Sequence, residues 1–172
     1  VGALDGEAVY WSLYIYPDLA AAQRDKAAGG VVVQAFNKIW VFSIGSRAAK
    51  STAGELIADV GPIPVEQSVL YDAEFLKSTF SPGMVAPVHL HSGPEAFYAI
   101  SGATCLETPE GVQVAKGAGN SLVVPGGAPM LLMAVGSEPR KGFALILHDR
   151  EHAPTTLVND WAPKNLCRAA LP

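Results

Sequence analysis

The residues best suited to chemistry lie in the stretch GMVAPVHLHSGPEAFYAISG, where His89 and His91 are one residue apart and Glu95 follows four positions later. In an extended segment successive side chains point to opposite faces, so both imidazoles project from the same side. Ser92, Gly93 and Pro94 are turn formers that can swing the chain back, so that Glu95 opens a return strand facing the rings. Two imidazole nitrogens and a carboxylate oxygen suit a divalent ion (iron, zinc, manganese or nickel) and leave positions open for water or substrate. A lone His-x-His reads as well as a polar strand face. Here the chain holds only four histidines, and the pair sits inside a longer frame.

That frame is Gly83, five residues, His89, one, His91, three, Glu95, six, Gly102. It resembles the first motif of the cupin superfamily. Downstream, within GNSLVVPGGAPM, Gly119, five residues, Pro125, one, Gly127 resemble the opening half of the second motif. The resemblance implies a small jelly-roll β-barrel over about residues 75–150, with His89, His91 and Glu95 at the metal-ligand positions. The family places a histidine and then an asparagine further along the second motif. This chain has Met130 and Ala134 there, so the fourth ligand of the pattern is missing.

Met130 is either a soft thioether donor or a core residue at strand spacing. The two remaining histidines are His148, ending a strand, and His152; each is either a replacement nitrogen ligand or a rim residue bonded to solvent or Asp149. Phe97 shares the face of Glu95 by period two, and with Met84 and Met133 it is expected to line an apolar pocket for a small ligand.

The elements that position these groups read as all-β. Residues 8–16 alternate Val9, Trp11, Leu13 and Ile15 against Tyr10, Ser12, Tyr14 and Tyr16, which predicts a half-buried strand. Asp18 caps a short helix that stops before Gly29-Gly30. Residues 31–44 are rich in β-branched and aromatic residues, with Asn37-Lys38 marking a turn or a bulge. Ser46 to Gly54 reads as loop, Leu56 to Val65 as irregular strand, and Val69 to Phe80 as a strand leading into the motif. Glu95 to Glu107 and Val112 to Ala115 flank the turn Thr108-Pro109-Glu110-Gly111. Ser121 to Val124, Met130 to Val135 and Phe143 to His148 are further strands. The expectation is one domain over 1–172, in which residues 1–74 add strands and a helix to the barrel and residues 151–172 form an arm, pinned by Trp161 and Cys167.

A chain of 172 residues buries enough surface to fold without a metal or a disulfide, so a bound ion would be functional rather than structural. Net charge is −4 and no basic run exceeds Arg140-Lys141, which argues against nucleic acid as a partner. Mean hydropathy is +0.24, high enough to suggest apolar surface covered by a second subunit, and a homodimer is expected. The most apolar stretch, Val31 to Ile44, is interrupted by Gln34, Asn37 and Lys38 and falls short of a membrane span. A bridge between Cys105 and Cys167 would tie down the arm and place the protein in an exported compartment, secreted or periplasmic; the alternative is two separate thiols in a cytoplasmic protein. The first residue, Val1, fits either a removed signal peptide or a trimmed chain.

Two functional readings follow. One is an enzyme of the dioxygenase or isomerase kind, acting on a small oxygenated molecule at a site of two histidines and a glutamate. The other is a cupin with a degenerate metal site that binds or senses a small molecule without turnover.

Overall fold

A computed structural model of the chain describes residues 1–47 and 53–170. Its contacts divide into two compact units, Val1–Leu70 and Tyr71–Pro172. The first holds β1 (Gly2–Ala3), β2 (Ala8–Tyr16), α1 (Leu19–Asp25), β3 (Val31–Ala35), β4 (Lys38–Gly45) and β5 (Glu55–Pro64). Strands β2 to β5 form an antiparallel sheet of their own in the order β3-β4-β2-β5. The first 70 residues are expected to add strands to the barrel's sheets; strands β2 to β5 instead pair with one another. The reason lies in β2, which is buried on both faces rather than half-buried. Trp11 and Leu13 are inaccessible on one side, while Tyr14 and Tyr16 on the other pack with Val41 beneath Ala21 and Ala22 of α1. That gives the unit a core of its own.

The helix starts where the sequence placed it, because the Asp18 carboxylate accepts the Ala21 N–H at 2.7 Å. Between β3 and β4 the chain makes a tight turn at Phe36 and Asn37, both at positive φ, as a two-residue hairpin requires. The alternatives over 31–44 thus resolve to two strands. The loop expected over Ser46 to Gly54 lies largely outside the described residues.

The second unit is all-β apart from one 3-10 turn, Leu166–Ala170. Its strands are β6 (Leu70–Phe80), β7 (His89–Leu90), β8 (Glu95–Ser101), β9 (Ala103–Thr108), β10 (Gly111–Lys116), β11 (Ser121–Val124), β12 (Leu131–Val135), β13 (Arg140–Asp149) and β14 (Thr156–Leu157). One antiparallel sheet runs β6-β13-β8-β11, a second runs β10-β9-β12, and β14 pairs with β7. Phe97, Val124 and Ala144 from the first sheet meet Leu106 and Leu132 from the second in one cluster, together with Met130. The two sheets therefore share an interior and make a β-barrel.

The strand expected from Glu95 to Glu107 is broken at Gly102, whose φ is +69°. A Cβ there would lie 2.7 Å from the Arg140 Cα and from the Pro139 carbonyl, so only glycine fits. A disulfide joins Cys105 to Cys167, with Cα atoms 5.7 Å apart, and fastens the C-terminal arm to β9. Glu107 does the same by other means: its buried carboxylate accepts the Lys164 N–H at 2.5 Å and the Leu166 N–H at 2.9 Å. Trp161 is half-buried in the same arm.

Candidate metal centre

His89 and His91 reach the site by different routes. The chain from Gly83 runs alongside β12, with Gly83 N–H donating to the Ala134 carbonyl, Ala86 to Leu132 and His89 to Met130. On its other side β7 pairs with β14, setting Thr156 opposite Leu90 and Leu157 opposite His89. The turn that follows is held on two sides. Leu147 N–H donates to the Pro94 carbonyl and Asp149 N–H to Ser92 Oγ, both from β13. Gly127 N–H donates to the His91 carbonyl at 2.8 Å. The two glycine turns touch, since a Cβ on Gly126 would stand 2.5 Å from the Gly93 Cα. The second glycine-rich turn thus supports the first one's backbone.

Held this way, His89, His91 and Glu95 each offer a ligand atom within 4.8 Å of the other two. The rings of His89 and His91 are 4.9 Å apart, and His91 Nε2 lies 3.2 Å from Glu95 Oε2. Metal bonds of about 2.1 Å put adjacent ligands roughly 3.0–3.5 Å apart, so the His91–Glu95 spacing already meets the requirement.

Tautomers are fixed by backbone. His89 Nδ1 lies 2.7 Å from the Pro87 carbonyl, and His91 Nδ1 lies 2.5 Å from the Pro154 carbonyl. A carbonyl oxygen can only accept, so each Nδ1 carries the hydrogen and each Nε2 presents a lone pair. His91 Nε2 and Glu95 Oε2 are buried and have no hydrogen-bond partner among the described residues. In the neutral-ring, ionised-acid state these are two acceptors facing each other, an arrangement that either a proton on Nε2 or a metal ion between them relieves. Burial opposes charge on the His91 ring, but the Glu95 carboxylate and the Pro154 carbonyl outweigh it, and the ring's proton affinity is raised. The pocket favours positive charge at this point. The donor set therefore fits a divalent ion, and the three residues could hold one.

Residues 76–144 match the family model described as a cupin domain. The chain carries a cupin domain. Among solved structures, this cupin is similar to a cupin-like protein from Thermotoga maritima, at 15% identity over 58% of this chain and 73% of that one, TM-score 0.49. It is also similar to a cupin-2 domain containing protein from Shewanella frigidimarina, at 20% identity over 48% and 74%, TM-score 0.37. A third is the DMSP lyase DddQ from Ruegeria pomeroyi, at 16% identity over 50% and 43%, TM-score 0.43; this chain thus spans less than half the length of the lyase. The search of curated proteins finds no match.

Other residues singled out from the sequence fall in different places. Met130 is buried in the apolar cluster with Phe97, Leu106 and Leu132. Its backbone, not an observed sulfur contact, is what reaches the site, through the pairing with His89. Phe97 does face the interior. Met84 does not: it is 50% exposed, on the strand-like run before His89. Met133 also departs from the expected lining, because the alternation of β12 turns it to the opposite face from Leu132, against Cys105 and Cys167. His148 Nδ1 lies 3.0 Å from the carbonyls of both Asp149 and His152, and His148 stands outside the cluster of three. His152 is exposed beside Asp149. Sequence reading missed the carbonyls of Pro87 and Pro154, which leave no side-chain signal. It also missed Arg140, a buried guanidinium on the barrel's inner face.

Proposed function

We propose that this cupin binds one divalent ion through His89, His91 and Glu95 and uses it to act on a small oxygenated organic molecule, an enol, diol or keto acid, in a reaction of the dioxygenase or isomerase kind. The observation that carries the reading is the convergence of ligand atoms from His89, His91 and Glu95 within 4.8 Å of one another, with both Nδ1 atoms already committed to carbonyls. When bound, such an ion supplies a Lewis acid with open positions for chelating oxygens. The chain's own residues do the rest. Pro87 and Pro154 hold the imidazoles in the ligating tautomer, Glu95 supplies the negative charge, and Phe97 with its apolar neighbours excludes water from the interior.

A second reading, capture of the molecule without turnover, is favoured by Met130. The place where the motif resemblance expects a fourth ligand is filled by a residue packed in the apolar core. Metal analysis by plasma mass spectrometry tests the metal-dependent reading: the wild-type protein should hold one equivalent, and His89→Ala should lose it while keeping its circular dichroism spectrum and melting transition. A wild-type protein that retains no ion after loading and desalting would sink the metal-dependent reading and leave capture standing. Oxygen uptake with catechols and diketones, and product analysis where no oxygen is consumed, separates turnover from capture. Export to an oxidising compartment is proposed from the Cys105–Cys167 bridge, and a homodimer from the high mean hydropathy. Thiol counting on protein isolated from its natural compartment tests the first, and light scattering the second.

A further inference from the structure

Arg140 opens β13, and its whole side chain is buried, at 1% exposure. Nε donates to Thr104 Oγ1 at 3.0 Å and Nη1 donates to Ser78 Oγ, both neutral hydroxyls. Nη2 has no hydrogen-bond partner among the described residues. The guanidinium carbon lies 5.8 Å from the ring centroids of Phe80 and of Phe97, and Phe97 belongs to the interior cluster two residues along the same strand face from Glu95. No carboxylate among the described residues pairs with Arg140. Burial depresses its proton affinity and Glu95 opposes that through space. A buried guanidinium with a free donor edge is costly unless an anion completes it, and its planar fork suits a carboxylate.

The same barrel interior therefore holds two incomplete sites: a metal-ligand trio with unpartnered acceptor atoms, and a cation with an unpartnered donor. We infer that Arg140 is the anchor for a carboxylate on the ligand, set apart from the oxygens that meet the ion, so that the ligand is a small organic acid whose apolar body lies against Phe97 and Phe80. This rests on the reading of His89, His91 and Glu95 as a metal site for the chelating end. The Arg140 end stands on its own orphan donor.

The probes are 3,4-dihydroxybenzoate and catechol, which share the chelating diol and differ by the carboxylate. Each is titrated calorimetrically into the protein loaded with zinc, a redox-silent ion, and into the metal-free protein. The zinc-loaded wild type should bind the acid roughly 10- to 100-fold more tightly than catechol, the range of one charge-assisted contact in a dry site. Arg140→Met keeps the volume of the side chain without its charge and should bring the two affinities together while zinc stoichiometry stays at one. Arg140→Lys should keep part of the preference, because the charge remains and the fork is lost. Equal affinities of the wild type for the two probes overturn the inference, and so does a preference that survives in Arg140→Met. The wild-type comparison decides the matter even if the methionine variant does not fold. Failure of the metal reading looks different: zinc is not retained, yet metal-free wild type still prefers the acid and loses that preference with Arg140.

Discussion

Replacing both Cys105 and Cys167 by alanine should cost the second unit a large part of its stability without abolishing its fold. The bridge spans a sequence separation of 62 residues. On the chain-entropy account, closing a loop of that length removes enough freedom from the unfolded chain to stabilise the native state by about 4 kcal/mol. The native state should suffer less than this suggests, because Glu107 still receives the Lys164 and Leu166 N–H groups and β14 still pairs with β7. The effect is therefore expected to sit in the unfolded ensemble. Urea unfolding followed by the fluorine NMR signal of Trp161 in protein labelled with 5-fluorotryptophan reports on this unit, since the other two tryptophans, Trp11 and Trp40, lie in the first and give separate signals. The double variant should lose roughly 3–5 kcal/mol in extrapolated stability, and its denaturant slope should rise because the uncrosslinked chain exposes more surface when unfolded. Wild type kept in dithiothreitol should match it. A loss below about 1 kcal/mol with an unchanged slope would refute the reasoning, since loop closure would then add little to what Glu107 already holds.

Glu107→Gln should also loosen the arm. The amide keeps one acceptor but turns an NH2 group towards a backbone N–H, and the buried mismatch should cost about 1.5–3 kcal/mol by urea unfolding. Gly93→Ala tests the turn beneath Glu95: the added Cβ would stand 2.2 Å from the Leu147 carbonyl oxygen, so the backbone must move. Zinc affinity, measured against a chromogenic chelator, should fall at least about tenfold, alongside an overpacking cost of roughly 1–3 kcal/mol. An affinity equal to wild type would show that the ligands are not held by this turn.

How much of this could be read from the chain depends on the phase of each strand as much as on its existence. The trio was legible because its spacing is local: His89 and His91 share a face by alternation, and Ser92-Gly93-Pro94 turns Glu95 back towards them. The disulfide partners were legible by elimination, there being only two cysteines. The pocket lining was not, because alternation gives two faces without saying which is inside. Gly102 shows why. Along β8 the odd positions Glu95 and Phe97 face inward, and a strand continued to Glu107 would send Cys105 and Glu107 inward as well. The positive φ at Gly102 resets the phase, so on β9 it is Thr104 and Leu106 that enter the barrel, while Cys105 and Glu107 turn out to receive the arm. The same reset brings Thr104 to the Nε of Arg140. Arg140 itself sits in SEPRKG, a run whose polarity signals a surface loop, and nothing local distinguishes its guanidinium from one in solvent. Only the close approach that a side-chain-free Gly102 permits to Pro139 and Arg140 lets that strand begin with a charge folded inward. A glycine that reads as a motif spacer is thus what turns the disulfide and Glu107 to the outside and Thr104, the partner of the buried arginine, to the inside.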